Sequence, residues 1–128
     1  MKENAILRSI RARMGQLRML ILRYQCGTFI APDGTFVHIG EKGVSDLIGI
    51  VPHTVRPEDV GKVIGVFTAM EVKQAGGRVR TEQGPFLRRI NALGGIAAVV
   101  RSAEDAEDVV AKKWDSELVK KWSQEENR

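Results

Sequence analysis

Glu71 and Lys73 lie two residues apart at the end of an apolar run, within the stretch FTAMEVKQ of residues 67–74. If this run is a strand, its side chains alternate and these two share one face. A carboxylate there can bind a cation, and an ammonium group beside it can orient a water molecule or neutralise charge on a phosphate. A salt bridge at a strand end is the alternative interpretation.

Asp46 is a second carboxylate at the edge of a predicted strand, because it opens the apolar run LIGIV of residues 47–51. Two carboxylates at strand ends can hold Mg²⁺, a hard cation that prefers oxygen ligands and keeps several waters. The backbone carbonyl of Val72 is a further candidate ligand. Such an ion lowers the pKa of a bound water and stabilises negative charge on a phosphate. Alternatively, Asp46 is a turn residue that follows Gly43.

Two predicted helices each carry a polar residue on their apolar face. Glu3 falls in the middle of the apolar stripe of residues 2–14, and Gln83 shares a face with the apolar residues of 86–93. A carboxylate on a core-facing stripe must be paired, protonated or bound to a cation, so Glu3 is a candidate anchor for a second ion or its waters. The simpler interpretation is that both are ordinary first-turn residues.

The order of predicted elements indicates an α/β protein. We expect one domain over residues 1–128, with a core over about 3–111 and a helical tail over 112–128. The pattern predicts a helix over 2–14 that Gly15 ends, a hairpin of 26–31 with 35–39, and two further strands over 45–51 and 63–73. It then predicts a helix over 81–93 that begins with Thr81, a strand over 96–101 and a helix capped by Ser102. Residues 17–24 fit either a strand or more helix. The loops are 52–62 and 74–80.

Positive charge is concentrated in two places along the chain. Residues 1–25 hold six basic side chains against Glu3 alone, although the net charge of the chain is only +4. A second basic cluster follows the FTAMEVKQ stretch. This segregation predicts a polyanionic partner, with a solvated basic surface as the alternative. The candidate DNA contacts are Arg8, Arg11, Arg78, Arg80 and Arg88.

Several other classes of protein are disfavoured by the composition. The single cysteine, Cys26, permits no intrachain disulfide, and with two histidines it makes a structural zinc site a poor prediction. We find no signal peptide and no apolar run of the ~20 residues that span a bilayer. The chain has no phosphate-binding loop of the kind that ATPases use. We therefore expect a cytoplasmic protein that is not bound to a membrane.

Three segments of the chain resemble the VRR-Nuc family of the PD-(D/E)XK nuclease superfamily. They are GVSDLIG at residues 43–49, FTAMEVKQ at 67–74 and TEQGPFLRRINALGGIAAVVRSAEDA at 81–106. The resemblance runs from about Glu3 to about Ala111. It is greatest to the short, stand-alone members found in phages and prophages.

The resemblance implies a restriction-endonuclease-like fold, in which helices flank a mixed central β-sheet. It implies Mg²⁺- or Mn²⁺-dependent hydrolysis of DNA phosphodiester bonds in a bacterial cell. Asp46 and Glu71 match the metal-binding carboxylates, Lys73 the motif lysine, Glu3 the glutamate of the N-terminal helix and Gln83 the helix glutamine. Stand-alone members are associated with homodimers that act on branched DNA, including Holliday junctions. Larger relatives with extra domains act on flaps, and we expect no such domains here.

Two other hypotheses stay open at this point. The chain could be a catalytically silent DNA-binding module with the same fold, or an assembly protein whose basic helix binds another protein. Candidate dimer-interface residues are the apolar stretch 19–22 and the two tryptophans, Trp114 and Trp122, although each could equally belong to the core.

Overall fold

The computed structural model of the protein describes residues 2–114. The chain divides into two compact units, Met1–Val51 and Pro52–Arg128, hereafter unit 1 and unit 2. Unit 1 contains α1 (Glu3–Gln16), β1 (Leu20–Arg23), β2 (Gly27–Ile30), β3 (Phe36–Ile39) and β4 (Leu47–Ile50). Unit 2 contains β5 (Thr68–Val72), α2 (Gln83–Ala92), β6 (Ile96–Val100) and α3 (Ala103–Ala111). The predicted α/β class is confirmed, and the small sheets with three helices are compatible with a restriction-endonuclease-like fold.

In unit 1 the chain leaves α1 through a tight reversal. Gly15, which was predicted to end the helix, lies inside its last turn, and the helix ends one residue later. Arg18 then adopts a left-handed conformation with φ of 60°. The ambiguous stretch 17–24 therefore becomes the strand β1 rather than more helix.

Strand β1 pairs with β4 in the antiparallel direction, and the two strands approach closely at Gly49. Leu20 and Ile50 are opposite each other and are buried. A Cβ atom added to Gly49 would lie 2.1 Å from the carbonyl oxygen of Leu20. Only glycine fits at this position without movement of the neighbouring backbone.

The predicted hairpin of β2 and β3 is confirmed. The strands pair in the antiparallel direction from Gly27 opposite Ile39 to Ile30 opposite Phe36. The Asp33 carboxylate accepts hydrogen bonds from the hydroxyl and the N–H of Thr35, which lowers the pKa of Asp33. Gly34 supplies the left-handed residue of the turn.

The core of unit 2 surrounds β6, whose five residues are all buried. Strand β5 pairs with β6 in the parallel direction, and α2 forms the connection between them. The alternate residues Ile96, Ala98 and Val100 pack with Val109 of α3, and Met70 of β5 lies against this cluster. Helix α2 also contacts β6 and buries Leu87 and Ile90.

Two boundaries in unit 2 differ from the prediction. The strand expected over residues 63–73 begins only at Thr68, because pairing with β6 begins there, opposite Ile96; Val63 is fully exposed. Helix α2 begins at Gln83 rather than after Thr81, and no side chain caps it. Pro85 is accommodated within the first turn, where the missing N–H has no helical partner to lose.

The structure confirms where the sequence predicted that α2 ends and α3 begins. After α2, Gly94 has a φ of 92°, its N–H donates to the Asn91 carbonyl, and the N–H of Gly95 donates to the Ile90 carbonyl. At the start of α3, the Ser102 hydroxyl accepts the N–H of Asp105. The Asp105 carboxylate in turn accepts the N–H of Arg101.

The loop predicted at 52–62 is organised by one carboxylate. Asp59 accepts hydrogen bonds from His53 Nε2 at 2.7 Å, from Lys62 Nζ at 3.0 Å and from the N–H of Arg56 at 2.9 Å. These contacts, led by that of His53, lower the pKa of Asp59 to about 2. The ionised carboxylate accepts from all three donors and so ties the loop together. No helix within residues 2–114 is long and apolar enough to cross a membrane.

Replacing Gly49 by alanine tests the close approach of β1 and β4. We expect Gly49→Ala to lower the free energy of unfolding by about 1–3 kcal/mol, because the new methyl group displaces the β1 backbone. Chemical unfolding followed by circular dichroism measures the change. The matched control is Gly15→Ala, whose added methyl meets nothing within 4 Å and lies in a helix, so it stabilises by roughly 0.5–1 kcal/mol. Equal effects of the two substitutions would contradict this account.

Candidate active site

The end of β5 brings Glu71 and Lys73 together, as strand alternation predicts. Lys73 Nζ lies 3.2 Å from Glu71 Oε1. The side chains are 18% and 29% exposed, respectively, so the pair is partly shielded from water. The salt bridge that the sequence offered as an alternative is therefore present, and the contacts around it decide what else the pair can do.

Gln83 holds the Glu71 carboxylate from the first turn of α2. Its Nε2 donates to Glu71 Oε1 at 2.6 Å, and its Oε1 accepts the N–H of Arg80 at 2.8 Å. An N–H can only be satisfied by an acceptor, so the Arg80 contact fixes the amide with its NH₂ group toward Glu71. The sequence placed Gln83 on the correct face of α2, but it gave no sign of the backbone group that orients it.

Both donors to Glu71 use the same oxygen. Lys73 and Gln83 contact Oε1, and no donor among residues 2–114 contacts Oε2. Oε2 is therefore able to bind a cation without the loss of either contact. A cavity of about 270 Å³ opens beside this group, lined by residues of β5 and α2 that include Ala69, Glu71, Gln83 and Phe86.

The backbone of Val72 also has an oxygen to offer. The carbonyl of Phe67 and the N–H of Lys73 bond to β6, at 2.8 and 3.0 Å. Backbone groups alternate in direction along a strand, so the carbonyl of Val72 points away from β6. Among residues 2–114 no strand other than β6 pairs with β5, so no strand pairing uses this carbonyl.

Unit 1 brings Glu3 and Asp46 to one cavity of about 300 Å³. Arg23 lines the same cavity, and the rest of the lining is mainly apolar residues of α1 with Leu47. Asp46 lies immediately before β4, at the strand edge where the sequence placed it. Within residues 2–114, no residue forms an ion pair with any of the three charged side chains. Two carboxylates and a guanidinium are thus available to a ligand.

Glu3 does not face a core, contrary to the prediction from the sequence. The apolar stripe of α1 was expected to face the core, but α1 has no buried residue, and Ile6 and Ile10 are 42% and 41% exposed. The stripe lines the cavity instead. Glu3 is consequently exposed and needs no buried partner.

Tyr24, for which the sequence gives no signal, fixes the segment that carries Asp46. The N–H of Tyr24 donates to the carbonyl of Asp46 at 2.8 Å. The Tyr24 hydroxyl accepts the N–H of Glu41 at 2.5 Å. One residue after β1 therefore holds both ends of the turn before Asp46. The contacts go to backbone groups, which leave no pattern in the sequence.

The candidate DNA-binding arginines are all exposed. Arg8 and Arg11 lie on α1, and Arg78 and Arg80 lie in the loop between β5 and α2. Arg88 lies on α2. Arg80 Nε is 3.6 Å from the Glu82 carboxylate, an exposed pair that costs little to open. All five residues are exposed, as contact with a polyanion requires.

The oxygen donors fit a hard divalent cation better than a zinc ion. Within residues 2–114, no group of three His, Cys, Asp or Glu side chains is arranged to hold a metal. Mg²⁺ does not require such a group, because it binds through one or two carboxylates, several waters and substrate phosphates. Glu71 Oε2 and the Val72 carbonyl in unit 2 are donors of this kind, and so, in unit 1, is the Asp46 carboxylate.

Removing the Gln83 side chain tests the hydrogen bond from the N–H of Arg80 that orients the Gln83 amide toward Glu71. In Gln83→Ala the N–H of Arg80 loses its acceptor, so its hydrogen exchange should accelerate roughly tenfold. Amide exchange followed by nuclear magnetic resonance measures it. Gln74→Ala is the matched control, because it removes an exposed glutamine of the same loop. If the Arg80 amide exchanges at the wild-type rate in Gln83→Ala, the N–H of Arg80 does not orient the Gln83 amide.

Comparison with known protein families gives a match. The VRR-NUC domain matches residues 23–104, which is more than half of the chain. Neither the curated proteins nor the solved structures gave a significant match. The matched range includes Asp46, Glu71, Lys73 and Gln83, whereas Glu3 lies before it. The resemblance predicted from the sequence is confirmed, and the chain belongs to the VRR-NUC family of nucleases.

Proposed function

We propose that the protein is a Mg²⁺- or Mn²⁺-dependent endonuclease that hydrolyses phosphodiester bonds in DNA. The observation that carries the proposal is the Glu71 carboxylate, which is held through Oε1 by Lys73 and Gln83 and leaves Oε2 to bind a cation. Membership of a nuclease family supports the same reaction class.

The chain's own residues have separate tasks in this reaction. Asp46, Glu71 and the Val72 carbonyl supply oxygen ligands, and Glu3 anchors a second ion or its waters. A bound divalent cation supplies an acidified water and neutralises charge on the phosphate. Lys73 donates hydrogen bonds that orient the attacking water, and its charge stabilises the negative charge that develops on the phosphate. Gln83 keeps the Glu71 carboxylate in one orientation throughout.

The exposed arginines bind the DNA backbone. Arg8 and Arg11 on α1, and Arg78, Arg80 and Arg88 in unit 2, contact phosphates without reading sequence. Binding through phosphates weakens steeply as salt rises. A structure-selective nuclease needs this kind of contact, since the shape of the DNA rather than its sequence defines the substrate.

The proposed substrate is branched DNA, of the Holliday-junction type, cut by a homodimer. A two-fold axis would relate two sites and permit symmetric nicks on two strands. Leu20, within the stretch 19–22, is buried in unit 1, which disfavours that stretch as an interface. Trp114 is 54% exposed and stays a candidate, while Trp122 lies outside the described residues. We place the enzyme in the cytoplasm of a bacterial cell, encoded by a phage or prophage.

A cleavage panel tests the proposal. Single-stranded, duplex, flap, fork and four-way junction DNA are incubated with the protein and Mg²⁺ or Mn²⁺. We expect paired nicks in the junction, and a loss of roughly 10²–10³-fold in rate for Asp46→Asn, Glu71→Gln and Lys73→Met. Glu58→Gln, an exposed carboxylate in the loop 52–62, is the control and should cut like the wild type.

Each other outcome of the panel supports a different hypothesis. Preference for flaps or forks would replace the junction assignment. Salt-dependent binding without cleavage, with either metal, would indicate a silent DNA-binding module. Absence of binding at moderate salt would favour a protein-assembly role. Full activity in Asp46→Asn and Glu71→Gln would overturn the metal-ligand assignment.

A further inference from the structure

Arg101 reaches back from the end of β6 to the chain that leaves the candidate site. The last backbone contact between the two strands joins the N–H of Lys73 to the carbonyl of Val100, at 3.0 Å. Beyond it, Arg101 Nη1 donates to the carbonyl of Gln74 at 2.7 Å. A side chain thus continues the pairing by one step, immediately after the site lysine.

The Gln74 carbonyl is also the first group of a tight turn. It accepts the N–H of Gly77 at 2.9 Å, and Gly76 adopts a φ of 77°. Both lone pairs of this oxygen are therefore used, one by the turn and one by the guanidinium. A left-handed third residue with this hydrogen bond is typical of a type II turn, which explains the glycine at position 76.

The far end of the same loop is fixed as well. Val79 is 8% exposed, and the N–H of Arg80 donates to Gln83, whose amide holds Glu71. The loop 74–80 is consequently held at both ends by groups that also position the site. Arg101 is itself anchored, because its N–H donates to the Asp105 carboxylate in the cap of α3.

We propose that Arg101 is a positioning residue for Lys73 and Glu71. Its guanidinium holds the Gln74 carbonyl, which keeps the last residue of the site in register with β6 and prevents the strand end from fraying. This inference rests on the proposed nuclease function for its kinetic consequence. The structural consequence of the Arg101 contact is a rigid turn after Lys73, and this consequence does not depend on the proposed function.

The test uses three variants of the full chain. Arg101→Met removes the donors and keeps an unbranched apolar stem, and Arg101→Lys keeps a positively charged donor on a shorter side chain. Arg56→Met, in the loop 52–62, removes an exposed arginine of unit 2 that forms one ion pair within residues 2–114, at 3.9 Å, and it controls for the loss of one positive charge. Each variant is measured for kcat and KM on the DNA that the wild type cuts, and for amide exchange at Lys73 and Gly77.

We expect Arg101→Met to lower kcat about tenfold and to raise KM less than about twofold, because the site is misaligned while the DNA contacts remain. The Lys73 and Gly77 amides should exchange faster by a similar factor. Arg101→Lys should recover at least half of both losses, and Arg56→Met should match the wild type in kcat and in exchange.

Three results would overturn the inference. They are unchanged exchange at Lys73 and Gly77 in Arg101→Met, an unchanged kcat, or a rise in KM alone, which would make Arg101 a DNA contact. If Arg101→Met does not fold, Arg101→Lys decides, since its shorter ammonium group should give intermediate values of kcat and exchange rather than wild-type ones. If the wild type cuts no DNA, the proposed function fails, and the exchange rates alone decide the role of Arg101.

Discussion

The carboxylate oxygen Oε1 of Glu71 accepts from both Gln83 and Lys73, and the geometry of the candidate site in unit 2 depends on this shared acceptor. Hydrogen bonds to an ionised group are stronger than neutral ones, and partial shielding from water strengthens them further. Because both donors use one oxygen, the carboxylate is fixed and still has a free coordinating atom. A carboxylate consumed by bidentate pairing with an arginine would be fixed equally well but would have none.

The buried strand β6 is what makes this arrangement possible. Ala97 and Ala98 are fully buried, and their small side chains let the neighbouring elements pack closely on the strand. Asn91 of α2 bonds through its amide to both the N–H and the carbonyl of Ala97, which ties the helix to the strand. The first turn of α2, with Gln83, is thereby set against β5. Hydrophobic burial on one strand thus determines the position of a polar contact at its neighbour.

The parts of the molecule that follow local periodicity could be predicted from the sequence. Alternation placed Glu71 and Lys73 on one face, helical spacing placed Gln83 toward the strand, and the Pro-Asp-Gly turn predicted the hairpin. Periodicity identifies an apolar face but not what covers it, so Glu3 was expected to face a core and instead lines a cavity. Periodicity also does not show that β5 starts at Thr68, because that start is set by Ile96, the first residue of β6.

Contacts between distant side chains and backbone groups could not be predicted at all. Tyr24 holds the segment before Asp46, and Arg101 holds the chain after Lys73, both through carbonyl or N–H groups that every residue possesses. No spacing rule links position 101 to position 74. The signal that could have directed attention to them is their place directly after β1 and β6, where a side chain can extend the pairing of a strand beyond its end.

The central claim is that Glu71 binds a divalent cation through the oxygen that Lys73 and Gln83 leave free. Electron paramagnetic resonance of Mn²⁺ titrated into the protein without DNA tests it most directly. The account predicts a bound Mn²⁺ in the wild type and binding weakened at least about tenfold in Glu71→Gln, since the neutral amide lacks the negative charge that a hard cation requires. Equal Mn²⁺ affinity in the wild type and Glu71→Gln would contradict it.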